Sequence, residues 1–174
     1  MVIMSRKKWL AVYVNMHHEK KVRDKLTSLG IENFLPVQTE IRQWSDRKKK
    51  IERVLIPMMI FVHVDTNEQR TVITQPSVLR YLVLRGEHSP TEIPMDQMDK
   101  FKFMLNFSEQ SVSFTSDELR TGEMIRVIKG PLSGLEGELI NVEGKSNIVI
   151  RIAQLGCAVV EINSNMVQKI KIKK

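Results

Sequence analysis

Apolar positions in this chain recur with period two in most segments and with a helical period in three. The elements can therefore be marked off from the pattern. Trp9-Leu10-Ala11-Val12-Tyr13-Val14 is a short apolar run rich in aromatic and β-branched residues, and it reads as a buried strand. Glu19 to Leu29 reads as a helix, because Val22, Leu26 and Leu29 fall at i, i+4 and i+7 with charges on the other face. Gly30 is its natural stop. Residues 33–41 read as extended, and 44–53 as polar and strongly basic. The clearest strand runs from Arg53 to Val64 and ends in Ile60-Phe61-Val62-His63-Val64. A short helix over 67–74 is expected before Pro76, then a strand over 78–84 closed by Gly86 and an irregular edge over 90–94. Asp96 is expected to cap a helix that carries Met98, Phe101 and Leu105 on one face. The order β-α-β-β-α-β-α predicts an α+β domain in which helices flank an antiparallel sheet.

Ser108 to Ser116 breaks this pattern, being serine-rich with no apolar period, and reads as a linker. Short strands then recur at 124–129, 136–142, 147–153, 157–162 and 166–172. Five such strands in about fifty residues predict a small all-β barrel. The expected division is an N-terminal domain over 1–107, a linker over 108–117 and a barrel domain over 118–174.

Composition narrows the class without naming it. The chain has 174 residues, 42% of them hydrophobic, within the range of one or two small globular domains. No apolar run approaches the ~20 residues of a transmembrane helix. The segment Met1 to Lys8 has its charges after its apolar residues, so no signal peptide is expected. Cys157 is the single cysteine, which rules out an internal disulfide and favours a reducing, cytoplasmic setting. The net charge of +7 is unevenly spread: +6 over residues 1–65, −2 over 66–120 and +3 over 121–174. A basic first third can neutralise phosphates, although an excess of this size also serves plain solubility.

The most informative stretch is Thr121 to Asn141. Gly122-Glu123 opens an alternating strand, Gly130-Pro131-Leu132-Ser133-Gly134 turns, and Leu135-Glu136-Gly137-Glu138-Leu139-Ile140 starts the next strand. Glycines at 130, 134 and 137 suit a bend needing positive φ and close backbone approach. This resembles the KOW motif, with Gly122, Lys129, Gly130, Pro131, Gly134, Leu135 and Gly137 in its positions. KOW modules are small barrels of ribosomal proteins and transcription elongation factors.

Upstream of it, a starting tryptophan strand, a helix ending at Gly30, a basic hairpin and Ile56-Pro57-Met58-Met59-Ile60-Phe61-Val62 resemble the NusG family of transcription elongation factors. The long basic hairpin is more similar to the specialised RfaH and UpxY type, whose UpxY members act at polysaccharide operons. The resemblance implies a protein that binds the RNA polymerase clamp through an apolar pocket of Met59, Phe61 and Tyr81, with Leu84 and Trp9 nearby. Met58 and Met59 stand where the family usually has a small or polar residue and then a tyrosine, so the surface stays apolar but a hydroxyl is lost. Core residues of the sheet are the other reading of all five.

The resemblance also implies contact with non-template or upstream DNA. His17 and His18, with Lys20, Lys21 and Arg23, precede or open the first helix, where phosphate is favoured. Arg47-Lys48-Lys49-Lys50 is read as the tip of a hairpin projecting toward a phosphate backbone, with a solvated turn as the alternative. Trp44 beside it either stacks on a base or packs on the hairpin stem. No metal-ligand spacing, cofactor loop or nucleophile constellation is visible, so an enzyme is not expected. The barrel would engage a ribosomal protein or a termination factor, though Leu135 replaces the aromatic often found there. The expected function is elongation and antitermination by a monomer, with a ribosome-associated KOW-type RNA-binding protein as the alternative.

Overall fold

The computed structural model describes residues 5–171. The expectation drawn from Met1 to Met4 and the last residue of the expected 166–172 strand lie outside them. Over the described residues the chain is mixed α/β, with three α-helices and antiparallel sheets, and it divides into two compact units.

The first unit takes residues 5–37 and 56–95. Its elements are β1 (Lys8–Val14), α1 (Glu19–Ser28), β2 (Glu32–Phe34), β5 (Met59–Val64), α2 (Thr66–Ile73), β6 (Val78–Tyr81) and β7 (Glu92–Ile93). Between β2 and β5 the chain runs out into a hairpin of β3 (Val37–Gln43) and β4 (Lys48–Val54). The sheet runs β2-β5-β1-β6, and β7 also pairs with β1. β1 is central because it is the most continuously apolar strand, so both its edges are covered. Its register sets the core: Leu10 faces Val62 and Val12 faces Ile60, and all four are fully buried. The helix α2 is fixed at its start by a reciprocal capping box. The Asp65 carboxylate accepts from the Glu68 backbone N–H at 2.9 Å, and the Glu68 carboxylate accepts from the Asp65 N–H at 3.0 Å.

The second unit takes the hairpin, residues 38–55, and residues 96–171. Its further elements are α3 (Met95–Phe107), β8 (Ser113–Thr115), β9 (Glu123–Val127), β10 (Glu136–Val142), β11 (Lys145–Ile152), β12 (Gly156–Glu161) and, after a 3-10 turn over Ser164–Met166, β13 (Val167–Lys169). These strands form one six-stranded sheet in the order β13-β9-β10-β11-β12-β8. Its buried side chains include Ile125, Ile148, Ile152 and Ala158.

Several expectations are corrected. The strand expected over 53–64 is two strands, because Pro57 has no N–H for a ladder and Met58 sits at φ +61°. Extended residues 33–41 are likewise split at Leu35-Pro36. The third helix begins at Met95, so Asp96 lies inside its first turn and does not cap it. Within the serine-rich stretch, Ser113–Thr115 forms β8 and pairs with β12 through Phe114 and Ala158. The C-terminal sheet therefore has six strands where five were expected.

Candidate functional site

The hairpin is built from strongly polar arms, and every residue from Ile41 to Lys50 is exposed. The Trp44 N–H donates to the Arg47 carbonyl at 2.8 Å, closing a loop whose two central residues are Ser45 and Asp46. The tip is thus Trp44 to Arg47. Lys48, Lys49 and Lys50 belong to β4, which corrects the expectation that all four cations crown the turn. Counting back from the closure places Gln38 opposite Arg53, and Arg53 does donate to the Gln38 Oε1 at 3.2 Å. Alternation then gives the ribbon two different faces. One carries Arg42, Trp44, Arg47 and Lys49; the other carries Ile41, Gln43, Lys48 and Lys50. Trp44 is 58% exposed. Arg42, which the charge-run reading overlooked, was detectable only from the alternation of the preceding arm.

Arg53 anchors the hairpin base. Its guanidinium donates to Glu40 Oε1 at 2.6 Å, Ser111 Oγ at 3.2 Å and the Val112 carbonyl at 2.9 Å. Gln38 adds a bond from its Nε2 to the Gln110 carbonyl and accepts from the Val112 N–H, both at 2.8 Å. The base is therefore held to residues 110–112 by four hydrogen bonds, while the tip is exposed.

The basic residues of α1 belong to the first unit. His17 is exposed at φ +64°, and His18 Nδ1 lies 2.6 Å from Ser77 Oγ. Lys21 is exposed, Lys20 is half-buried, and Arg23 pairs with Asp24 at 3.1 Å. Behind them the buried Glu19 carboxylate accepts from the Met58 N–H at 2.9 Å. Burial acts to raise its pKa, but hydrogen bonds from the backbone of Met58, of Glu19 itself and of His17 prevail and hold it below the ordinary value of 4.5.

The expected apolar pocket is not one surface. Met59 pairs with Tyr13 and Phe61 with Ala11, while Trp9 pairs with His63, so these side chains share a face of the sheet. Tyr81 pairs with Val12 and lies on the opposite face, where its hydroxyl donates to the Gln69 carbonyl of α2 at 2.8 Å. Burial pushes its phenol up to about 12. Phe61 is fully buried, and Met59 and Trp9 are each 3% exposed. Trp9 stacks on His63 at 5.0 Å, and Phe34 lies 6.4 Å from Phe61. Only Tyr81 and Leu84 are half-buried; the Leu84 N–H donates to Thr91 Oγ1 at 3.2 Å.

In the second unit the Gly-Pro turn is well bonded. The Val127 N–H donates to the Leu135 carbonyl and the Gly134 N–H to the Val127 carbonyl, both at 2.8 Å. Gly130 and Gly134 adopt φ +83° and +95°, while Leu132 and Leu135 point inward. Gly122 and Gly137 are needed for a different reason. A Cβ on Gly122 would stand 2.1 Å from the Leu139 carbonyl oxygen, and one on Gly137 2.8 Å from that of Val149. Lys129 and Pro131 are exposed on this turn. Cys157 is buried and its thiol pKa is raised, first by burial and only partly offset by Arg151.

Among the described residues no group of three or more His, Cys, Asp or Glu side chains could hold a metal ion, and no helix is long and apolar enough to cross a membrane. A search of curated proteins finds no match. Among solved structures, the chain is similar to one described as "Domain interaction in Thermotoga maritima NusG", with 20% identity, a TM-score of 0.49, and coverage of 95% of this chain and 98% of that one. It is also similar to a chain of the MjSpt4:Spt5 complex in conformation B, with 14% identity, a TM-score of 0.28, and coverage of 95% and 99%. The family model described as "Transcription termination factor nusG" matches residues 7–102, more than half of the sequence. The chain therefore belongs to the NusG family.

Proposed function

We propose that this protein is a transcription elongation and antitermination factor that binds the clamp of RNA polymerase and suppresses pausing or termination. The observation that carries the reading is the family match across residues 7–102, which takes in the whole first sheet and the basic hairpin. In this reading residues 1–107 bind polymerase, 108–117 link, and 118–174 form a KOW domain that recruits a ribosomal protein or a termination factor. The KOW assignment is supported by the two positive-φ glycines of the 130–134 turn and the two glycines that allow close backbone approach at 122 and 137. Tyr81 and Leu84 are the half-buried, most accessible members of the polymerase-binding set. Met59, Phe61 and Trp9 act from the interior by holding the sheet that presents them.

The long, exposed basic hairpin supports a specialised paralogue of the RfaH and UpxY type, working at polysaccharide operons as a cytoplasmic monomer. His17, His18, Lys20, Lys21 and Arg23, and separately Arg47, Lys48, Lys49 and Lys50, supply contacts to upstream or non-template DNA. Capture from a bacterial lysate tests the assignment: polymerase subunits are expected on the full chain. Ribosomal RNA without polymerase would overturn it.

A further inference from the structure

We propose that residues 110–115 form a strap that seats on the edge of β12 and grips the base of the β3–β4 hairpin, so that a peptide strand displacing β8 from β12 frees the hairpin. The grip is independent of what the hairpin touches, and so goes beyond the proposed function.

Two sets of contacts meet in these residues. Toward the hairpin, Val112 spends both its backbone groups. Its N–H donates to Gln38 Oε1 at 2.8 Å, and its carbonyl accepts from Arg53 at 2.9 Å. Gln38 Nε2 donates to the Gln110 carbonyl at 2.8 Å, so the Gln38 carboxamide meets Gln110 and Val112 as a peptide group of a neighbouring strand would. Toward the sheet, Ser113, Phe114 and Thr115 pair antiparallel with Val159, Ala158 and Cys157. At the junction the Val112 side chain is fully buried. A segment gripped from both sides at consecutive residues does not behave as a flexible tether. It holds the hairpin base and the C-terminal sheet in one compact unit.

Gly156 makes the seat. A Cβ there would stand 2.3 Å from the Thr115 carbonyl oxygen and 2.7 Å from Phe114 Cζ, so a glycine is what lets β8 come this close. Cys157 and Ala158, which follow, are small and buried. Phe114 is the apolar anchor of β8, and its ring lies 6.2 Å from that of the fully buried Phe101 on α3. The start of α3 is itself tied to the turn before β12, where Gln97 Oε1 accepts from the Ala153 N–H at 2.5 Å.

The seat is nonetheless easily vacated. β8 has three residues, two of them polar, and it ends the sheet. Short edge strands open at low free energy, and the edge they leave accepts another strand. The occupant that fits is an extended peptide with an aromatic residue opposite Ala158 and short polar residues on either side, the pattern of Ser113-Phe114-Thr115. Once β8 is off, the bonds at 110–112 tie the hairpin base to a free chain instead of to the sheet, and the ribbon is released.

Amide hydrogen exchange and nitrogen-15 relaxation on the full-length protein test this. In the unaltered protein the amides of Val112 to Thr115 should be protected, and those of the hairpin arms should have order parameters of ~0.85. Gly156→Ala should speed exchange at 113–115 by at least ~10-fold and lower the hairpin order parameters below ~0.6, with β9 to β11 still protected. Phe114→Ala removes the anchor without a backbone clash and should do the same; it decides the matter if Gly156→Ala loosens the whole sheet. Gln38→Ala combined with Arg53→Ala should free the hairpin while β8 stays protected. A synthetic peptide of residues 110–116 should bind the Phe114→Ala protein at least ~10-fold more tightly than the unaltered one, because it no longer competes with a strand tethered beside the edge. Hairpin order parameters that stay high while 113–115 exchange freely would overturn the strap. Equal peptide binding by the two proteins would overturn the β12 edge as its seat.

Discussion

Tyr81 and Met59 lie on opposite faces of one sheet. Tyr81 pairs with Val12 and Met59 with Tyr13, and these neighbours on β1 point in opposite directions. A partner lying on one face of this sheet therefore cannot anchor on both. Tyr81→Phe should leave the fold intact but lose the hydrogen bond to the Gln69 carbonyl, costing ~0.5–1.5 kcal/mol in a denaturant titration. If Tyr81 touches polymerase, affinity should fall by more than this loss of stability can explain.

The Tyr81 phenol also predicts an alkaline limb. Its folded pKa of about 12 lies above the ordinary 10.0, so the protonated form is favoured in the folded state. That contribution is complete below pH 10 and is lost as pH rises toward 12. Tyrosinate absorbance should show a step near pH 12 that Tyr81→Phe removes.

Phe61→Ala should act on stability before it acts on binding. The ring is fully buried beside Phe34, and deleting it is expected to cost ~3–5 kcal/mol. A variant that melted like the unaltered protein would show that Phe61 is not in a packed interior.

Glu19 gives the acid limb. Its carboxylate is held below the ordinary pKa of 4.5, so its contribution is present above that pH and lost as pH falls through the lowered value. Glu19→Ala should leave the Met58 N–H without its acceptor, destabilise by ~1–3 kcal/mol near neutrality, and flatten the loss of stability on acidification.

The elements whose cause is local were legible in the sequence. The helix at Glu19–Ser28 and the strand at Glu136–Val142 follow from their own periodicity, and so does the Gly-Pro turn. What depended on distant residues was not legible. The break at 55–58 is fixed partly by Glu19, some forty positions earlier. The strand at Ser113–Thr115 has little apolar signal of its own and exists by pairing with β12. The grouping of Tyr81 with Met59 failed because sheet register is a non-local property. In the hairpin, four consecutive cations read as a tip, whereas the closure at Trp44 and Arg47 turns three of them into alternating strand positions.

Two glycine substitutions separate close approach from backbone handedness. Gly137→Ala brings a methyl within 3 Å of Val149 O, Ile148 and Ile150, and should destabilise the full-length protein by ~1–3 kcal/mol. Gly134→Ala meets open space and bears only the cost of φ +95°, about 1–2 kcal/mol. Thermal unfolding should rank them in that order.

Action on transcribing polymerase is what we propose for this NusG-family chain. Its most direct measurement is transcription in vitro of a terminator-bearing template, with and without the purified protein. A larger fraction of full-length transcript and shorter pauses are expected when the protein is present. Unchanged read-through and pausing at saturating protein, or a rise in termination, would contradict it.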